Sequence, residues 1–209
     1  MTVTIDYYFS LLSPWAYIGH KAFHDAMNRT GAAIAYKPIN VPEAFQASET
    51  PLLGNRHITR QQYRTLELQR WGVKRGLEFN YWPAHWPFAA ATGDKMIMAC
   101  CAKNNDPASF IGQVLSGIWE RETNYNDEAE LVAAANAGGL DGDGLLADAK
   151  GGKFDAAYEA NTQEAIGAGV FGVPAYIYKG EFFWGQDRID LLEDAIRSGR
   201  DGFTPVMPG

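Results

Sequence analysis

The chain has 209 residues, 46% hydrophobic and 21% charged, which is enough apolar content for a sizeable core and too much for a disordered chain. The net charge is −7 with 18 Lys and Arg and no basic block, which argues against nucleic acid as a partner; an anionic ligand would need a locally positive site. No apolar run reaches the ~18 residues of a membrane-spanning helix.

The opening Met-Thr-Val-Thr-Ile-Asp carries neither a cationic nor an apolar leader, so no secretory signal is expected. The only cysteines, Cys100 and Cys101, are adjacent. Neighbouring cysteines do not suit ordinary disulfide geometry, and two thiols cannot close a structural zinc cage. They fit a reducing cytoplasm.

Val3–Phe9 is β-branched and aromatic, and predicts a strand. Ser13 and Pro14 predict the cap and first residue of a helix running to about Met27. Gly31 ends it, and Ala32–Pro38 predicts a second strand. Residues 43–60 read as loop, and residues 79–93 as an irregular aromatic stretch. Helical spacing is read over Thr59–Gly72, Lys95–Lys103, Ser109–Arg121, Glu128–Ala137, Leu145–Ala149 and Lys153–Ala168. No strand is expected between about 40 and 173. Val173–Tyr178 and Glu181–Trp184 predict a hairpin, Asp187–Arg197 a closing helix, and the tail from Ser198 a loose end. The order β-α-β, helical block, β-β-α predicts an α/β fold: a thioredoxin-like domain (1–42 and 170–209) with a large all-helical insertion (43–169).

Three short motifs carry the candidate chemistry. Ser13-Pro14-Trp15-Ala16 stands where a thioredoxin layout has Cys-x-x-Cys, with Ser13 and Ala16 replacing both thiols. A dithiol cycle is therefore excluded there, and on Ser-Pro alone Ser13 reads as a simple helix cap. Gly172-Val173-Pro174-Ala175 precedes a strand; the proline begins that strand in trans or, as in thioredoxin-like folds, is cis and faces the site. Trp184-Gly185-Gln186-Asp187 leads into the last helix, where Asp187 caps the helix or receives an ammonium group.

Together, Phe9-Ser-Leu-Leu-Ser13-Pro14-Trp-Ala-Tyr17, Gly169-Val-Phe-Gly-Val-Pro174 and Phe183-Trp-Gly-Gln-Asp-Arg188 resemble the 2-hydroxychromene-2-carboxylate isomerases and kappa-class glutathione transferases, relatives of the DsbA oxidoreductases. The resemblance runs from residue 3 to about 197. It implies glutathione as cofactor, with Ser13 hydrogen-bonding the sulfur as the catalytic residue. It implies that the Val173 backbone, before Pro174, pairs with the cysteinyl part, and that Gln186 and Asp187 hold the γ-glutamyl end. It further implies a small aromatic substrate, isomerised cis to trans by the bound thiolate, and a homodimer. Two other readings are a kappa-like transferase conjugating electrophiles and a non-catalytic glutathione-binding protein.

Weaker signals are also present. Tyr81-Trp82-Pro83-Ala84-His85-Trp86-Pro87-Phe88 reads as an aryl pocket or a packing cluster. His20 and His24, four apart, are expected on a packed or solvated helix face rather than as metal ligands, since Lys21 stands where a metalloprotease needs Glu. Asp141-Gly-Asp-Gly144 is expected to be a turn before a helix, and Cys100 and Cys101 buried core.

Overall fold

Ile5, Tyr7 and Phe9 alternate along the first strand, and all three are buried. That alternation sets the sheet face that receives the first helix. The computed structural model describes residues 3–207. The strands are β1 (Thr4–Phe9), β2 (Ala33–Pro38), β3 (Ala175–Tyr178) and β4 (Glu181–Trp184), in the order β2-β1-β3-β4. β1 and β2 are parallel; β3 runs antiparallel to both β1 and β4. The register places Tyr36, Tyr7, Tyr176 and Phe183 in one row across the four strands. Tyr7 stacks on Tyr176 at 5.3 Å and meets Tyr36 edge-on at 6.2 Å. Such cross-strand aromatic pairs fix register as well as adding stability.

The helices are α1 (Pro14–Thr30), α2 (Val41–Ala47), α3 (Ile58–Arg75), α4 (Ala91–Ala102), α5 (Ala108–Trp119), α6 (Glu128–Ala137), α7 (Gly142–Lys150), α8 (Asp155–Gly167) and α9 (Ile189–Ser198). α1 and α9 pack together beside the aromatic row, where Phe23 of α1 lies 4.6 Å from both Tyr7 and Tyr176. The opposite face carries Tyr8, Ala175 and Val173 against Ala44 of α2 and Ala165 of α8. Lys37 closes that side with carboxylates of Asp6 at 3.0 Å and Glu164 at 2.7 Å. All described strands lie outside residues 39–174, and the α/β thioredoxin-like sheet with its helical insertion is as expected. Among the described residues no helix is long and apolar enough to cross a membrane.

Several boundaries differ from the sequence reading. Residues 41–47 form a helix, not loop, because Pro42 sits in its first turn where the missing N–H costs nothing. α4 starts at Ala91 rather than Lys95. α7 starts at Gly142, since the Asp141 carboxylate accepts the Gly144 N–H at 3.0 Å; the Asp-Gly-Asp-Gly turn is the helix cap itself. The closing helix begins with a 3-10 turn, Gln186–Arg188. The tail is not loose at its start: Arg200 grips Glu181 with two N–H groups at 2.5 and 3.0 Å, and Phe203 N–H joins the same carboxylate at 3.0 Å. Its Pro208 and Gly209 lie outside the described residues.

Cys100 is buried as expected and Cys101 only half-buried, and burial pushes their thiols up to about 11 and about 12. His20 and His24 are packed, their rings 4.3 Å apart. His24 bonds the His20 carbonyl at 2.8 Å and the Tyr36 hydroxyl at 2.9 Å. Burial, with His24 beside it, lowers His20 to about 3.

One acid sits behind the β1–α1 loop. Asp94, in the first turn of α4, has no exposed surface; its Oδ2 accepts the Tyr158 hydroxyl at 3.0 Å and its Oδ1 has no partner. The adjacent Gly93 lies so close to Leu11 that a Cβ would stand 2.8 Å from its side chain. Burial without a cation raises Asp94 to about 8. An unfolded Asp titrates near 3.9, so this group's stabilising contribution is complete below about pH 4 and lost as pH rises through about 8. Asp94→Asn, neutral throughout, is expected to melt above wild type at pH 8.5, by about 2–4 °C per kcal/mol regained, with the gap closing near pH 4. Thermal melts at both pH values check this; a pH-independent difference contradicts it.

Candidate active site

The loop that leaves β1 is shaped by two serines. Ser10 Oγ accepts the Leu12 N–H at 3.2 Å, and the Ser13 N–H donates to the Ser10 carbonyl at 3.1 Å. Ser13 then takes extended backbone angles, and its Oγ accepts the Ala16 N–H at 3.2 Å. With Pro14 at the first helical position, this is the N-cap that the sequence predicts. The cap has a second role: the Ser13 hydroxyl donates to the Val173 carbonyl at 3.3 Å, across 160 positions of chain.

The Val173–Pro174 bond is cis. On its far side the Pro174 carbonyl accepts the Gly185 N–H at 2.9 Å, which ties the second motif to the third. Gly185 has φ 98°, a conformation side chains disfavour, and starts the 3-10 turn at Gln186. Gly19 of α1 lets that turn come close; a Cβ there would lie 2.7 Å from the Gln186 Cβ. The three motifs therefore meet at one place: Ser13 touches Val173, Pro174 touches Gly185, and Gln186 lies on α1.

The third motif is used differently from its sequence reading. Gln186 is buried, and its Oε1 accepts from Arg75 Nη2 at 3.3 Å, so its side chain faces inward to α3. Asp187 stays accessible, with Oδ2 accepting from Arg188 Nη1 at 2.6 Å. Among the described residues no backbone N–H donates to the Asp187 carboxylate, so it does not cap the helix.

Sequence reasoning missed the braces around this loop. The indole N–H of Trp86 donates to the Leu12 carbonyl at 3.0 Å, next to Ser13. The Trp86–Pro87 bond is also cis, and Trp86 packs 5.6 Å from Trp119. Tyr17, one turn into α1, donates its hydroxyl proton to the Glu120 carboxylate, lies 3.2 Å from the Glu78 carbonyl, and packs on Phe79. The only sequence signal was the density of Trp and Pro at 82–87. Within that stretch Trp86 and Phe88 turn inward as packing, while Tyr81 and Trp82 line a cleft of about 300 Å³ with Ile58, Gln61, Thr65 and Gln69 of α3. A larger groove of about 750 Å³, along His20, His24, Tyr36 and Asp106, contains none of the motif residues. Among the described residues no group of three or more His, Cys, Asp or Glu is placed to hold a metal.

What the arrangement offers chemically is a polarised hydroxyl at the N-terminus of a 17-residue helix, beside a backbone carbonyl next to a cis proline. Such a helix end favours an anion. No thiol stands at either redox position, so a thiolate held here must come from a ligand.

Comparison with known proteins gives the family and the fold. The family model for the DSBA-like thioredoxin domain matches residues 4–197. The 2-hydroxychromene-2-carboxylate isomerase of Sphingobium xenophagum is 32% identical over 198 residues, spanning 94% of this chain and 99% of the relative. Glutathione S-transferase kappa 2 of Caenorhabditis elegans is 23% identical, spanning 92% and 91%. A solved 2-hydroxychromene-2-carboxylate isomerase superposes with a TM-score of 0.79 at 24% identity, over 93% of this chain and 95% of that one.

Proposed function

The chain belongs to the DSBA-like thioredoxin family, alongside the 2-hydroxychromene-2-carboxylate isomerases, and from that membership we propose that it is a glutathione-dependent isomerase of small aromatic 2-oxo acids. The observation that carries the reading is the Ser13 hydroxyl, held between the Ala16 amide and the Val173 carbonyl. Glutathione lies extended along Val173, and its sulfur takes the place of the Val173 carbonyl as acceptor of the Ser13 O–H. A free thiol has a pKa near 8.5 and is mostly protonated at neutral pH. A hydroxyl donor and the helix N-terminus favour its thiolate.

The bound thiolate adds to the double bond conjugated with the 2-oxo acid. A carbon–sulfur bond forms, and the displaced π electrons move to the keto oxygen as an enolate. The former double bond is now single and rotates. The enolate electrons return, the carbon–sulfur bond breaks, and the trans isomer leaves with glutathione unchanged. Asp187, exposed at the turn after β4, receives the γ-glutamyl ammonium, with Gln186 shaping the turn beneath it.

The likeness to a kappa-class transferase supports a second reading, conjugation of electrophiles. Thiol bookkeeping separates the two: an isomerase leaves total glutathione constant over many turnovers, and a transferase consumes it.

Ser13→Ala is expected to lower kcat/KM by about 10²–10³, the scale for one preorganised donor to an anion. Its stability cost is about 1 kcal/mol, a lost cap. Near-wild-type turnover by a folded Ser13→Ala protein contradicts the assignment. Asp187→Asn is expected to raise the glutathione Kd about ten- to hundredfold, as for a lost charge-assisted hydrogen bond, with little change in the saturated rate. Calorimetric titration checks it, and unchanged affinity removes Asp187 from the site.

A further inference from the structure

The cations of this acidic protein are unevenly spread. Between residues 50 and 77 there are six Arg and Lys and a single carboxylate, Glu67. Glu67 is occupied by Arg70. Among the described residues Arg56, Arg60, Arg64, Lys74 and Arg75 have no carboxylate at ion-pair distance, whereas most cations elsewhere do.

Arg64 is the least explained of these. It lies on the stripe of α3 that carries the buried Leu68 and Gly72 one and two turns later. Its side chain is half-buried, and no hydrogen-bond acceptor meets it among the described residues. Burial, with the neighbouring cation Arg56 adding to it, lowers Arg64 to about 10. Arg60, four residues back, adds like-charge repulsion on the helix. A partly desolvated cation with no counter-charge opposes folding. A bound anion would reverse that.

The surroundings indicate which anion. Arg56 donates to the Pro51 carbonyl at 2.9 Å and stacks on Phe45 of α2 at 5.6 Å. The next residue back, Ala44, belongs to the apolar cluster that includes Val173, so this cationic pair stands on the Val173 flank of the site. Gln61 and Thr65, either side of Arg64 on α3, line the 300 Å³ cleft under Tyr81 and Trp82. Arg64 itself does not line that cleft; it points along the Leu68 stripe of α3, where an unpaired guanidinium suits a carboxylate, and on the isomerase reading the carboxylate is that of the aryl 2-oxo acid. That molecule must also approach a bound thiolate of its own charge sign, in a protein of net charge −7.

Resting on the isomerase reading, we propose that Arg64, backed by Arg56, is the seat of the substrate carboxylate. The guanidinium forms a two-pronged hydrogen bond with the carboxylate. Arg64 thereby selects aryl acids over neutral aryl electrophiles and does not contact glutathione.

The test uses cinnamate, an unreactive aryl carboxylate, and its methyl ester as probes of the full-length protein, with glutathione titrated in parallel by calorimetry. Wild type is expected to bind cinnamate. Arg64→Gln is expected to weaken it about ten- to hundredfold, leaving glutathione and the methyl ester unchanged. Arg64→Lys keeps the charge without the fork and is expected to fall between. The Arg64→Gln protein is expected to melt no lower than wild type, since it loses an uncompensated cation. No wild-type binding of cinnamate, equal binding by Arg64→Gln, or a loss confined to glutathione overturns the proposal; the last gives the seat to a glutathione carboxylate. Arg64-dependent cinnamate binding in a protein with no isomerase turnover leaves the seat standing and removes the isomerase reading.

Discussion

One oxygen atom joins the two ends of this chain at the site. Ser13 Oγ accepts a hydrogen bond from the start of α1 and donates one to the strand-leading residue 160 positions later. The first bond fixes where the helix begins; the second fixes where the hairpin of β3 and β4 sits against it. Both are buried with Ser13 itself. A buried hydroxyl must satisfy its donor as well as its acceptor. The Val173 carbonyl does so here, and the same donor becomes available when a better acceptor arrives.

The surroundings keep that oxygen in place by three separate means. Trp86 pins the Leu12 carbonyl from the helical insertion. Gly19 and Gly185 allow the Gln186 turn to press on α1. Gly93 of α4, next to the buried Asp94 that bonds Tyr158 of α8, lets α4 pack closely against Leu11 of the loop. The helical insertion therefore supports the β1–α1 loop as well as supplying the cations of α3 and the Tyr81–Trp82 cleft. The charge distribution follows the same division. Acidic groups dominate the molecule, while most of the arginines without a carboxylate partner among the described residues lie on α3 and the turn before it.

The elements with strong local signals were legible before the structure. The β-branched opening, the Ser-Pro helix start, the Glu128–Ala137 helix and the closing hairpin lie where spacing and capping put them. The Ser13, Val173–Pro174 and Asp187 motifs, far apart in sequence, do converge. What was not legible depended on tertiary neighbours. α2 was missed because its Pro42 was read as a breaker rather than a first-turn residue. Gln186 was read as facing a ligand, yet a half-buried Arg75 draws its amide inward. Trp86 and Tyr17 carry no local mark that sets them apart from other aromatics; only the fold shows which carbonyls they reach. Arg64 was hidden by composition, because an overall charge of −7 says nothing of where the cations stand unpaired.

The central claim is that the Ser13 hydroxyl stabilises a glutathione thiolate, and the ionisation of that thiol reports on it directly. Thiolate absorbance of saturating bound glutathione, titrated against pH in wild type and in Ser13→Ala, reads the thiol pKa in each. The account predicts a wild-type value well below the ~8.5 of a free thiol, returning toward it in Ser13→Ala. A bound thiol that titrates as free glutathione does, or one whose lowered pKa survives removal of the hydroxyl, contradicts it.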